Sequence, residues 1–411
     1  MIKPELSPFS ALKFRDYRLL WLGLLVSRIG SEMQVVAVTW QMYLLTKSAL
    51  SLGLIGLARF LPVLFFSLFG GMAADLYNRR KIMIAAQFIM TAVSITLAIS
   101  TFGGMISPLI IYLLLALNSF ATTFDTPSRQ AILPSLVPQK YFMNAVSLNT
   151  IMWQTAIVVG PSLSGFIIAF LGVGSVYIIN IIAFFFVILA LFAMNSTQQK
   201  MVKTHLFDLS EVKEGLLFVI RTPIIYSTML LDFFATFFSS ATTLLPIFAK
   251  DILNVGPQGL GLLYAAPSVG GVLAGLIISS WGHFKNQGKI LISTVMVYGL
   301  ATSFFGLSKF FYLSLFFLFA AGASDVVSTI IRNTLRQLNT PDYIRGRMVS
   351  INMIFFMGGP QLGEAEAGIL AAAVGTPISV VIGGIGAIIS AGLIAIIVPR
   401  LRKYQGNEVV V

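Results

Sequence analysis

Long apolar runs recur along the whole chain without the regular polar–apolar alternation of a half-buried strand. Twelve of them lie near residues 18–46, 50–74, 82–102, 107–128, 142–171, 174–194, 223–249, 257–281, 289–308, 310–335, 347–373 and 377–399. Each approaches the roughly 20 residues that a helix needs to cross a bilayer. Strands of a membrane barrel would alternate over about ten residues, and a run such as Ile110–Phe120 does not. In hydrocarbon every backbone N–H and C=O needs an internal partner, which a helix supplies. The pattern therefore predicts an all-α membrane protein with twelve transmembrane helices. Residues 1–17 are mixed polar, with Lys3, Lys13 and Arg15, and the first run is too long for the apolar core of a cleaved signal. It reads as a retained first span.

Composition agrees with this pattern. Hydrophobic residues make up 57% of the chain and charged residues 10%, against about 25% charged in soluble domains. The net charge of +12 would suggest nucleic acid, but its placement does not. With the N-terminus set in the cytoplasm, Lys47, Lys250 and Lys309 fall on the far side and Arg28 and Arg59 within spans, leaving 22 of the 27 basic residues on the cytoplasmic side. That is the positive-inside bias, and it predicts that both termini are cytoplasmic. No nucleic-acid partner is expected.

The longest polar stretch divides the chain into an N-terminal half (1–194), a linker (195–222) and a C-terminal half (223–411), with six runs on either side. In the linker, Leu209, Val212, Leu216, Leu217 and Ile220 recur at helical spacing. They predict either a short amphipathic helix on the cytoplasmic membrane face or an ordinary solvated linker helix. The two halves also resemble each other. Pro138–Asn149 matches Pro341–Asn352 at an offset of 203, which also pairs Arg129 with Arg332, Gly160 with Gly363 and Gly165 with Gly368. An offset of 208 pairs Leu52–Ile55 with Leu260–Leu263, Asn78 with Asn286 and Lys81 with Lys289. Because each half has six spans, the repeats are expected to run in parallel about an axis normal to the membrane.

Between runs two and three the chain reads Gly71-Met-Ala-Ala-Asp75-Leu-Tyr-Asn78-Arg79-Arg80-Lys81. This resembles the loop signature of the major facilitator superfamily, with Asn78 in place of a glycine and Leu76 where a basic residue is common. Asn tolerates the left-handed conformation, so the turn is expected to survive. The resemblance implies that Asp75 bonds Arg129 and faces the helix end near Arg345–Met348, latching the halves on the cytoplasmic side in one state. In run five, Ala156-x-x-x-Gly160-Pro161-x-x-Ser164-Gly165 resembles the antiporter signature of the same superfamily, with two glycines replaced by other small residues. The resemblance leans towards export, with plain tight helix packing as the alternative reading of the same small residues. The stretches FDTPSRQAILPSLVP, FRDYRLLWLG and GPQLGEAEAG are similar to the drug and siderophore exporter branch grouped around the enterobactin exporter.

Ionisable residues inside spans are costly and are candidate functional sites. Arg28 and Glu32 share a face of run one and are spaced to pair; Arg59 lies in run two. Run four carries Asn118, Thr122, Asp125 and Arg129 on one stripe, and run ten carries Asp325, Ser328 and Arg332. Run seven carries Asp232 with Thr236, Ser239 and Thr243. Asp125, Arg129 and Arg332 lie near the cytoplasmic ends, which suits gating or structural pairing. Glu32 and Asp232 lie deeper and are the candidate proton-coupling groups, with Arg28, Arg59 and Asp325 as further cavity residues. Phe233, Phe234, Phe237 and Phe238 border the stripe of run seven, either as packing or as cavity wall. Glu364 and Glu366 lie in the outer half of run eleven and, two residues apart, point in different directions on a helix, so that one is expected to face the outer vestibule and the other has no assigned role.

No cysteine is present, so neither disulfides nor thiolate metal sites are expected. The two histidines, His205 and His283, are far apart near loops, and no metal cluster, phosphate loop or nucleophile motif appears. Neither enzyme activity, a metal nor a cofactor is expected, with the proton gradient as energy source. Together the residues and the resemblance predict a monomeric secondary transporter of the bacterial cytoplasmic membrane. It would export small amphipathic molecules of the drug or siderophore class in exchange for protons. Alternatives are a lysophospholipid or lipid carrier, a proton-coupled nutrient importer, and a non-transporting membrane sensor on the same fold.

Overall fold

The computed structural model describes residues 9–195, 209–281, 285–341 and 344–406. Among them, eleven helical segments are long and apolar enough to cross a membrane. The N-terminal six are α1 (Arg15–Thr46), α2 (Ala49–Leu76), α3 (Arg79–Phe102), α4 (Pro108–Leu136), α5 (Phe142–Leu171) and α6 (Val173–Ala193). The C-terminal six are α7 (Pro223–Phe238, continuing irregularly to Ile252), α8 (Gly256–Trp281), α9 (Gln287–Leu307), α10 (Phe311–Leu338), α11 (Arg345–Val374) and α12 (Thr376–Ile397). The helix outside the apolar eleven is α11. It is 30 residues long and occupies the predicted eleventh run. Arg345, Arg347, Asn352, Gln361, Glu364 and Glu366 lower its hydropathy.

Contacts divide the chain into two compact units. The first is Met1–Leu45 with Ala58–Thr204, and the second is Thr46–Leu57 with His205–Val411. The sequence reading places the whole of α2 in the N-terminal half, whereas its first turns belong to the second unit. Glycine allows this. A Cβ built on Gly53 would stand 2.8 Å from the Glu364 carbonyl oxygen and from the Gly368 Cα. Thr243 Oγ1 donates to the Leu52 carbonyl at 3.1 Å.

Within the first unit, α1 lies in contact with α5 and α6. A Cβ on Gly160 would meet the Glu32 Cβ at 2.6 Å and the Ile29 carbonyl oxygen at 2.9 Å, and a Cβ on Gly23 would meet the Val187 Cα at 3.0 Å. Side-chain hydrogen bonds fasten the same helices. Ser94 Oγ donates to Gln34 Oε1 at 2.7 Å, and Asn180 Nδ2 donates to the same oxygen at 2.8 Å. All three residues are buried. With no hydrophobic force between helices in lipid, close packing and such bonds carry association.

The second unit repeats the arrangement. In it α11 and α12 pack on α7, and α9 packs on α10 and α12, as α3 packs on α4 and α6 in the first unit. The equivalence of Gly160 with Gly363 holds at atomic detail. Gly160 faces Glu32, and its counterpart Gly363 faces Ser240, whose Oγ would lie 2.6 Å from an added Cβ. Ser240 is the residue that the offset of 208 pairs with Glu32. Replacing Gly160 with Ala is thus expected to destabilise the first unit by about 1–3 kcal/mol, because the Ile29 backbone cannot rotate away. Thermal unfolding of the purified variant measures this, and an unchanged midpoint would contradict the packing role.

Run seven departs from its prediction of one continuous helix over 223–249. The α-helix stops at Phe238. A 3₁₀ turn (Ala241–Leu244), a short helix (Leu245–Ile247) and a π-turn (Phe248–Ile252) follow. Pro246 has no N–H to return to Thr242, so the regular ladder fails there. Ser240 Oγ also donates to Thr236 O at 2.6 Å and to Pro360 O at 3.1 Å, tying the break to α11.

The linker helix forms over Leu209–Arg221. Its Leu216, Leu217 and Ile220 are exposed while Val219 is buried. Gly215 lies against Arg347 of α11, and Glu214 pairs with Arg347. Linker residues 196–208, including His205, lie outside the described residues, as does His283.

Candidate functional site: two charged clusters, one in each unit

In the first unit a cavity of about 210 Å³ is lined by charged and polar side chains of four helices. From α1 come Arg28 and Glu32, from α2 Arg59, from α3 Gln87, and from α4 Asn118, Asp125 and Arg129. The stripes predicted on runs one and four therefore converge, and Arg59 joins them. Asp125 is buried and bonds Arg129 at 3.0 Å, one helical turn away. Gln87 Nε2 donates to the other side of the same carboxylate at 3.2 Å. The expected Arg28–Glu32 ion pair is not made among the described residues. The Arg28 guanidinium lies over the Trp153 ring of α5, 4.4 Å from its centroid. An indole face attracts a cation. Glu32 remains within electrostatic reach of both Arg28 and Arg59.

The second unit holds a tighter cluster. Asp232 of α7 is 2% exposed. Its Oδ1 receives Arg332 Nη2 at 3.0 Å, and its Oδ2 lies 3.7 Å from Arg336 Nη2. Arg332 also reaches Asp325 at 3.5 Å, whose side chain is 39% exposed. Arg336 donates to Asn333 Oδ1 at 3.0 Å and to Asn352. The sequence reading assigns Arg332 to gating or structural pairing and Asp232 to a deep proton-coupling site; the fold joins the two in one ion pair. It also misses Arg336, whose signal is its position one turn beyond Arg332 on α10. The repeat-related arginines Arg129 and Arg332 each bond an aspartate of their own unit. The aspartates are not equivalent: Asp125 lies four residues before its arginine and Asp325 seven.

The polar stripe of run seven does not line this cluster as a hydrated surface. Thr236 Oγ1 donates to the Asp232 carbonyl at 2.8 Å, and Thr243 is taken by Leu52. Its aromatic residues are packed. Phe233 stacks on Phe237 with centroids 5.7 Å apart and meets Phe355 of α11 edge-on. Phe238 lies against Gly386 of α12. Of the two glutamates in run eleven, Glu364 packs against Gly56, with Oε2 3.0 Å from where a Cβ would stand. Glu366 is half-buried.

The loop between α2 and α3 differs from expectation in two respects. Asn78 is extended (φ −65°, ψ 110°) and caps α3, its Oδ1 accepting from the Lys81 N–H at 3.1 Å. Asn is a preferred N-cap, so it replaces the glycine by capping rather than by a left-handed turn. Its repeat partner Asn286 is left-handed, at φ 61°. Asp75 is exposed and makes no ion pair among the described residues; Arg129 is instead held by Asp125. Arg79 bonds the carbonyls of Ala74 at 3.0 Å and Ala131 at 2.7 Å, which ties the end of α2 to α4. Arg80 bonds the Phe192 carbonyl at 3.0 Å. A Cβ on Gly71 would meet nothing within 4 Å. In run five, Gly160 and Pro161 are buried, Gly165 likewise, and Ser164 Oγ donates to the Met33 carbonyl at 2.9 Å.

Comparison with known proteins places this arrangement. The chain is 25% identical over 394 residues to the enterobactin exporter EntS of Escherichia coli O1:K1 / APEC, covering 95% of this chain and 93% of that one. It is equally similar, with the same coverage, to the enterobactin exporter EntS of Shigella boydii serotype 18. Among solved structures, a bacterial homolog of the human lysosomal transporter Spinster, inward-facing and occupied, matches with TM-score 0.74 at 14% identity, over 94% of this chain and 97% of that one. A D-xylose–proton symporter matches with TM-score 0.73 at 13% identity, over 95% and 99%. At these identities the structures establish the fold: the twelve-helix transporter fold. The family described as transmembrane secretion effector matches residues 6–410. The chain is a multi-pass membrane protein of the major facilitator superfamily and belongs to its transmembrane secretion effector family.

Proposed function

We propose that the protein is a proton-coupled exporter of small amphipathic molecules, working by alternating access in a bacterial cytoplasmic membrane with both termini in the cytoplasm. The observation that carries the reading is the cavity of the first unit, where Glu32 stands among polar groups inside membrane spans. A carboxylate kept in the membrane interior is costly and marks a solute or proton pathway. Glu32 is the better coupling group of the two predicted. Asp232 is locked between two guanidinium groups, whereas Glu32 has no ion pair within 4 Å among the described residues. Export as the direction is supported by the similarity to proteins named as exporters and by the Gly160–Gly165 segment. The cytoplasmic placement of the termini is supported by the distribution of Lys and Arg.

Asp75 serves as the cytoplasmic latch in one conformational state, consistent with its exposure and with the open space beside Gly71. Asp75→Asn is then expected to leave thermal stability unchanged and to lower transport severalfold. Wild-type transport by this variant would remove the latch. The function itself is tested in cells deleted for the chain and in complemented cells, using a panel of fluorescent amphipathic dyes. Complemented cells should accumulate less dye, and an uncoupler should erase the difference. Equal accumulation, with or without uncoupler, would overturn the proposal.

A further inference from the structure

We infer that the first-unit cavity is a subsite for an acidic group of the transported solute, held by Arg59 and Arg28; this deepens the export reading and rests on it. The cavity wall holds three guanidinium groups, Arg28, Arg59 and Arg129, and two carboxylates, Glu32 and Asp125. Asp125 and Arg129 satisfy each other at 3.0 Å. The remaining charges of the wall are Arg28, Arg59 and Glu32, a formal excess of one positive charge inside the membrane spans. An uncompensated charge there is costly, so an anion that enters is bound by a field already in place.

Orphaned polar atoms point the same way. Arg59 Nη2 is buried and donates no hydrogen bond among the described residues. It is a charged donor without an acceptor, and hydrogen bonds to charged groups are the stronger kind. Two buried acceptors on the wall also lack donors, the amide oxygens of Asn118 and Gln87. The complementary ligand therefore has an anionic acceptor for Arg59 and Arg28 and a hydroxyl or N–H donor for the amides. A hydroxylated carboxylate has this chemistry. Trp153 holds the Arg28 guanidinium 4.4 Å from its ring centroid, and a guanidinium fork matches a planar carboxylate. About 210 Å³ is smaller than the roughly 300–1,000 Å³ of pockets that enclose whole drug-sized ligands. The cavity thus takes one acidic end of a solute rather than all of it.

Glu32 gives the inference a signed test, because it competes with the ligand for the two arginines. The probe is salicylate, with salicylamide as its uncharged counterpart, titrated by ligand-observed NMR against the purified full-length chain in detergent with no gradient. Salicylate should bind at least about tenfold more tightly than salicylamide. Arg59→Lys, which keeps the charge but loses the guanidinium fork, should weaken salicylate binding by about tenfold. Glu32→Gln should tighten it by at least about threefold. A merely structural role for these residues predicts no tightening, and Glu32→Gln remains informative should Arg59→Lys fail to fold. Equal affinity for the two probes, or weaker salicylate binding by Glu32→Gln, would overturn the subsite. Binding is read without a gradient, so the two readings fail separately. A chain that exports dyes yet ignores probe charge loses the subsite, and one that binds salicylate yet moves no solute loses the export reading.

Discussion

Asp232→Asn is expected to destabilise the protein by about 3–5 kcal/mol, the range for removing one partner of a buried ion pair. The carboxylate is 2% exposed and serves both Arg332 and Arg336. Without it, two buried guanidinium groups share the half-exposed Asp325, which reaches only Arg332. Asp325→Asn should cost much less, because Arg332 keeps Asp232. Removing both charges in Asp232→Asn/Arg332→Gln should recover part of the loss, since an unpaired charge costs more than an absent pair. Thermal unfolding of the purified variants in one detergent ranks them. A variant Asp232→Asn as stable as the wild type but uncoupled would restore Asp232 as the proton group.

The second large effect concerns Glu32. Glu32→Gln is expected to remove nearly all gradient-driven transport while leaving the fold intact, because glutamine keeps the shape against Gly160 and cannot exchange a proton. Glu32 makes no ion pair within 4 Å among the described residues, so the substitution costs less stability than Asp232→Asn. The readout is dye movement in vesicles with an imposed pH gradient, alongside counterflow without one. Loss of the first with retention of the second marks coupling. Full gradient dependence in Glu32→Gln would exclude this carboxylate.

Much of the architecture was legible in the pattern of apolar runs, because a bilayer imposes span length on every helix alike. The loop motif and the internal repeat were legible too, and the pairing of Gly160 with Gly363 extended to the atoms that each glycine meets. What was not legible depends on which helix faces which. The sequence spacing suggested that Arg28 would turn to Glu32 within α1, but Trp153, far away in the chain, takes its guanidinium face. Asp232 looked isolated because its partners are about 100 residues distant on α10. The bond of Gln34 to Ser94 and Asn180 joins three helices, and each residue alone looks like an ordinary polar exception. The break after Phe238 was signalled by Pro246, yet the hydropathy of 223–249 runs through it. Asn78 shows the same limit at the scale of one residue: the substitution was legible, but capping rather than a left-handed turn was not.

The central claim is outward, proton-driven transport by the buried charges of the first unit. It is tested most directly by comparing everted with right-side-out membrane vesicles carrying the wild-type chain or Glu32→Gln, using the same dye panel and an uncoupler control. Outward proton-coupled transport predicts dye accumulation in energised everted vesicles, its collapse with uncoupler, and its absence in Glu32→Gln. Accumulation in right-side-out vesicles instead, or accumulation indifferent to both uncoupler and Glu32→Gln, would contradict it.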